Sequence, residues 1–208
     1  MIFIIKHFAY FGLLYVVFTF AEYFVHRYLM HGSKNKWNPL STSHWTHHEH
    51  TLNDMNLKKS DKYNSEIDKH LGLYFVWKYT AAIFIVGLLP AYLLNLFLHL
   101  IGVGIEPRFI PIYVGGFALY QSSFWNTVHP DIHNVYDELS WSEGVPGSNI
   151  WRLLYSGIKI SDSMTMYEWF MHNHKLHHLR KGVKKGNYNV TLPGADWALG
   201  TMYSSASE

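Results

Sequence analysis

Residues 11–32 read FGLLYVVFTFAEYFVHRYLMHG, an apolar run that passes straight into a pair of histidines, His26 and His31. From Phe8 to Val25 the only charge is Glu22. A membrane-spanning helix needs about 20 mostly apolar residues, so this stretch fits one crossing. Two further stretches share the pattern. Residues 73–104 carry Lys78 near the start and Pro90 in the middle, and residues 109–128 carry no charge. The third stretch fits a second single crossing. At about 1.5 Å of rise per residue, 73–104 is too long for one straight crossing, and Pro90 is expected to kink it or make it part re-entrant. Buried helices of a soluble protein are the competing reading, but they rarely combine such length with so few charges.

Composition agrees. The chain has 208 residues, enough for a single domain over 1–208, and only 15% are charged, against roughly 25% in a soluble domain. Cysteine is absent, which excludes disulfides, thiolate zinc sites, Fe–S clusters and cysteine nucleophiles. The net charge of +2 and the lack of a basic stripe argue against a nucleic-acid partner. The opening MIFIIKHF has no basic region before its apolar residues. The first helix is therefore expected to stay in the membrane rather than be cleaved as a signal.

Cysteine's place is taken by 15 histidines, ten of them in four groups. His26 and His31 lie in HRYLMHG; His44, His47 and His48 in SHWTHHEH; His129 and His133 in HPDIH; His174, His177 and His178 in HNHKLHH. Residues three or four apart share a helix face, so three of the groups can each aim their rings together. His26 and His31, five apart, stand about 140° round an ideal helix and converge only if the helix ends or distorts between them. In HPDIH, Pro130 is expected to break a helix. Ten imidazoles exceed the needs of one ion, so two metals are expected. Imidazole suits zinc, copper, iron and nickel. Iron is the choice on chemical grounds, because a redox pair beside lipid can activate dioxygen, although affinity order lets zinc occupy a purified sample. His7, His70 and His99 read as structural, and His50 and His172 as flanking residues. Glu22, Glu49, Asp131 and Asp196 are the carboxylates placed to orient imidazoles. Glu22 has His26, one turn on, as its expected partner.

If all ten histidines meet, an even number of crossings separates the first two groups from the last two. Lys34, Lys36, Lys58, Lys59, Lys62 and Lys69 follow the first crossing, and Arg152, Lys159, Lys175, Arg180, Lys181, Lys184 and Lys185 follow the third. The bias of positive charge toward the cytoplasm then puts the histidine face there, in the inner membrane of a bacterium or the endoplasmic reticulum of a eukaryote. The expected architecture is all-α: an integral-membrane helical bundle with a cytosolic cap, residues 26–70 and 129–201, carrying a histidine-ligated di-metal site. The tail from Tyr203 to Glu208 is expected to be disordered.

The ordered set HRYLMH, HWTHH, HPDIH and HKLHH resembles the fatty acid hydroxylase / sterol desaturase superfamily of membrane di-iron enzymes. GNYNVTLPGADWALGT, residues 186–201, looks like that superfamily's closing motif, and HRYLMHG also looks like the β-carotene hydroxylases. The resemblance covers Glu22 to Thr201. It implies two iron ions held by the ten histidines and O2-dependent oxidation of a lipid: a fatty acyl chain, sphingolipid, sterol or carotenoid. A longer gap separates His133 from His174 than in the fatty acid 2-hydroxylases, filled in part by SWSEGVPGSN. No fused cytochrome b5 domain is visible, so electrons are expected from a separate carrier, cytochrome b5 or a ferredoxin-type protein with its reductase. Hydroxylation of a C–H bond is the expected reaction. Desaturation is the alternative within the superfamily, and a non-catalytic membrane metal-binding protein the alternative from another class. A zinc hydrolase is disfavoured because no HExxH occurs.

Overall fold

A computed structural model describes residues 2–32, 37–58, 72–135, 139–179 and 185–205. Lys34, Lys36, Lys59, Lys62, Lys69, His70, Arg180, Lys181 and Lys184 lie outside them, and with them most of the charge pattern expected to set the histidine face.

The described residues are mostly helical, with one two-stranded antiparallel ribbon. Helix α1, Ile2–Phe24, continues into a π-helical turn, Val25–Met30. Helix α2 is Pro39–His50, opened by the Asn38 side chain, which accepts from the Ser41 amide, and by Pro39 in the first turn. Helix α3 is Trp77–Leu100 and helix α4 Ile110–Ile132. A short helix α5, Asn149–Ser156, leads to the ribbon β1, Lys159–Ser161, and β2, Met164–Thr165. Helix α6, Met166–Leu179, starts with a capping box: Thr165 Oγ1 accepts from the Glu168 amide, and Glu168 Oε2 from the Thr165 amide at 2.7 Å. One turn, α7, Ala195–Ala198, ends the chain's helices.

Among the described residues two helices are long and apolar enough to cross a membrane: Phe3–Met30, which is α1 with its π turn, and α3. Only 22% of each apolar window is buried, whereas a core helix of a soluble protein hides most of its surface. Phe8, Val86 and Leu89 are 68–74% exposed. The inner faces meet on α4 through Tyr10, Leu14, Phe18, Ala91, Val114 and Phe117.

The structure refines three expectations. Within residues 73–104 the helix is confined to Trp77–Leu100. Leu73 and Tyr74 are buried in a separate cluster with Leu139, α3 runs uninterrupted through Pro90, and a turn follows at Ile101. The third expected crossing, 109–128, is helical as α4 but falls short of the apolar character of the other two. Its second half, Gln121, Ser122, Asn126 and Thr127, is polar and buried, because it forms the centre of the bundle instead of a lipid-facing wall. Nor does Pro130 break the helix. It stands in the last turn, where its missing N–H spares only the Asn126 carbonyl, and Gly147 packs so closely there that a Cβ would stand 2.4 Å from that oxygen.

The C-terminal segment is strapped along α1. Tyr15 donates to the Pro193 carbonyl at 2.6 Å and Thr19 to the Leu192 carbonyl at 2.5 Å. Tyr203 exchanges hydrogen bonds with the Asn187 side chain, and Ser204 accepts from His172. The expected disordered tail is thus held through Ser204, while residues 206–208 lie outside the described residues.

Candidate metal centre

The first histidine pair converges because of the π turn. Its i→i+5 pattern, seen in the His31 amide donating to the His26 carbonyl at 3.1 Å, returns the fifth residue to nearly the same face. π turns of this kind occur often at functional sites. The rings of His26 and His31 are stacked, 5.3 Å between centroids. Helix α2 docks beside them through Gly32, whose carbonyl accepts from Ser41 Oγ at 2.6 Å and Trp45 Nε1 at 3.0 Å. A Cβ on Gly32 would stand 2.7 Å from the Tyr28 carbonyl, so only glycine fits.

The ten expected histidines gather in two adjoining groups. His26, His31, His44 and His177 each offer a ring nitrogen within 4.8 Å of the others, and so do His47, His129, His133, His174 and His178. His48 joins the first group: its Nε2 lies 3.0 Å from that of His44 and 3.2 Å from that of His177. Helices α2 and α6 serve both. His44 and His48 face one pocket and His47 the other; His177 faces one and His174 and His178 the other. The groups touch where His48 stacks on His178 at 4.1 Å.

Tautomers follow from the outer hydrogen bonds. His26 Nδ1–H donates to the Tyr188 carbonyl at 2.5 Å and His177 Nδ1–H to the Gly186 carbonyl at 2.8 Å. His129 Nδ1–H donates to Leu73 and His133 Nδ1–H to Met55, both carbonyls at 2.8 Å. A neutral imidazole with its proton on Nδ1 has only a lone pair at Nε2. In the first group the Nε2 atoms stand 2.9–3.1 Å apart in the pairs His31–His177, His31–His44 and His26–His44, and His31 Nδ1 accepts from Lys185 Nζ at 3.0 Å, which leaves a proton for its Nε2. In the second, the buried Nε2 of His129 and of His133 and both nitrogens of His47 have no hydrogen-bond partner. Unpartnered nitrogens crowded together as in the second group repel unless a cation stands between them. Two nitrogens at right angles, each about 2.1 Å from one ion, would be about 3.0 Å apart, which is the spacing seen. The donor set therefore fits two metal ions, one per group. Five converging imidazoles also exceed the four ligands of a structural zinc site.

At His26, His129, His133 and His177 the orienting groups are backbone carbonyls, and three of the expected carboxylates bond elsewhere. Glu22 does not pair with His26. Its carboxylate accepts from the amides of Val190, Thr191 and Leu192, from Thr191 Oγ1 and from Asn189 Nδ2. Asp196 accepts from the Asn189 amide and from Thr201 Oγ1. Asp131 holds Arg152 and accepts from the Tyr167 hydroxyl. Glu22 and Asp196 thus shape the 186–201 segment, and that segment in turn presents the Gly186 and Tyr188 carbonyls to the rings. Met55, at φ 73°, presents its own carbonyl to His133. Sequence reasoning missed these carbonyls because a backbone oxygen leaves no mark in the residue pattern. Outside the groups, His7 bonds the Tyr113 hydroxyl, His99 the Ile105 carbonyl and His50 the Thr46 carbonyl.

Burial, reinforced by neighbouring imidazoles, holds His44, His47, His48, His174, His177 and His178 well below the ordinary histidine range. Burial brings His133 down to about 4. Each is thus neutral near pH 7, as a metal ligand must be. The unfolded chain takes up protons below about pH 6.5 that the folded chain refuses, so stability rises with pH across that window. Metal-depleted protein is expected to lose thermal stability steadily from about pH 6.5 downward. A flat profile there would contradict this burial.

A cavity of about 260 Å3 leads away from the first group between α1 and α3. Phe18, Ala21, Val25, Ala82, Val86 and Pro90 wall it, and His26 and His44 stand in its lining. Val86 and Leu29, both in its wall, are 69% and 49% exposed, so the groove opens on the apolar outer surface.

Comparison with protein-family models, with curated proteins and with solved structures finds no match to this chain.

Proposed function

We propose that this chain is an integral-membrane oxygenase that hydroxylates a C–H bond of a lipid, with two iron ions held by His26, His31, His44, His48 and His177 and by His47, His129, His133, His174 and His178. The observation that carries the reading is the convergence of neutral, buried imidazoles in two touching groups at the end of an apolar groove. Bound iron would supply the activation of dioxygen needed to break an unactivated C–H bond.

The chain's own residues do the rest. Carbonyls of Met55, Leu73, Gly186 and Tyr188 fix the ring tautomers and hold the free nitrogens inward. The groove can admit an apolar chain from the level of the two apolar helices. Charged groups are absent from the middle of those helices, which favours a catalytic centre at the membrane face over an ion path through it. The histidine face is cytoplasmic in this reading, and electrons arrive from a separate carrier.

The test is lipid profiling of cells expressing wild type or His177→Ala. Wild type is expected to yield lipids heavier by one oxygen atom, and the variant none. Lipids lighter by two hydrogen atoms would assign desaturation. Identical profiles would sink both.

A further inference from the structure

Away from its histidine end, where Glu22, His26, Ser43 and His44 line it, the groove is apolar except at Tyr79 and Gln121. Gln121 of α4 lines it and is 7% exposed, yet its amide makes no hydrogen bond among the described residues. Tyr79 of α3 lines it too, and its hydroxyl is likewise without a partner there. The Thr80 and Ser122 hydroxyls, 2.7 Å apart, tie α3 to α4 at that height and satisfy each other. Gln121 and Tyr79, each one residue before that pair, are left facing the groove together. Glu22, also in the lining, is fully engaged by residues 189–192.

An amide that opens into an apolar groove without a protein partner is free to hydrogen-bond whatever occupies that groove. One that faces a binding groove has an evident use. It can donate to or accept from a ligand oxygen, and a site built that way rejects the analogue lacking the oxygen. Along α3 the groove continues about 16 Å beyond Tyr79 to Pro90. In the other direction it passes Trp125 to the histidines. A ligand oxygen held at Gln121 thus has chain on both sides of it.

We propose that Gln121, assisted by Tyr79, is a specificity-determining residue that reads a single hydroxyl or carbonyl oxygen within the length of an otherwise apolar lipid. This rests on the reading of the groove as the lipid path to the metals, but it is a statement about binding. The groove reaches the metal centre at His26 and His44, so the recognised oxygen and the reacting carbon are separate positions along the chain.

The test uses full-length, metal-loaded protein in nanodiscs and a matched pair of probes: a symmetrical dialkyl ketone and the n-alkane of the same length. Wild type is expected to bind the ketone roughly tenfold more tightly, the worth of one good hydrogen bond. Gln121→Leu is expected to bind both alike, to hold the alkane at least as well as wild type, and to melt no lower than wild type without ligand. Tyr79→Phe should weaken ketone binding partially and leave the alkane unchanged. Equal binding by wild type, or a ketone preference that survives in Gln121→Leu, would overturn the proposal. So would a Gln121→Leu protein less stable than wild type with unchanged affinities, which would assign the amide to an ordered water or to packing. Selective binding without lipid oxidation would remove the oxygenase reading and leave this site standing.

Discussion

Glu22→Ala is expected to be the most destructive single substitution in the chain. The carboxylate accepts five hydrogen bonds from residues 189–192, three of them from backbone amides that have no other acceptor in view. Removing it strands those donors, at roughly 1–3 kcal/mol for each buried group left unmade. A loss of about 5 kcal/mol would consume most of the stability of an ordinary domain. The damage reaches the metals by a defined route: the released segment carries the Tyr188 and Gly186 carbonyls that orient His26 and His177. Loss of metal from the first group is expected to accompany the fall in melting temperature. Glu22→Gln keeps one acceptor oxygen and should fall between wild type and alanine. A Glu22→Ala protein with wild-type melting temperature and metal content would refute this chain of dependence.

The ten histidines were legible from spacing alone, since clusters of imidazoles at three- and four-residue intervals rarely serve anything but a metal. Their division was not. His44 and His48 turn to one pocket and His47 to the other, and a helix pattern tells only that three rings share a broad face. The five-residue spacing of His26 and His31 signalled a distortion, but the π turn that resolves it depends on backbone bonds the side chains do not announce. Glu22 was recognisable as a paired acid, because a carboxylate in an apolar helix needs partners. Those partners lie 167–170 residues away in sequence, beyond any local rule. Which part of the third apolar stretch packs inward was not legible for a related reason. A charge-free run of residues suits a bundle centre as well as lipid, and the polar Gln121, Asn126 and Thr127 were the sign of the former.

The division into two groups predicts unequal variants. His177→Ala removes a ring whose Nε2 lies 2.9 Å from that of His31 and 3.2 Å from that of His48. The first ion should be lost and the second kept. His47→Ala should do the reverse, since both His47 nitrogens are buried in the second group without another partner. Either change alone is expected to abolish lipid oxidation, and the double variant should be no worse than the singles. Variants that each lose both ions would mean that the two groups form one cooperative site. Wild-type metal content in either would mean that the ring is not a ligand.

The most direct measurement is the metal content and X-ray absorption spectrum of wild-type protein purified without oxygen. Two ions per chain, each with a nitrogen shell near 2.1 Å and little or no sulfur, are the expected result. One ion per chain, or none after reconstitution with ferrous iron, would contradict the account of two histidine pockets on which the rest depends.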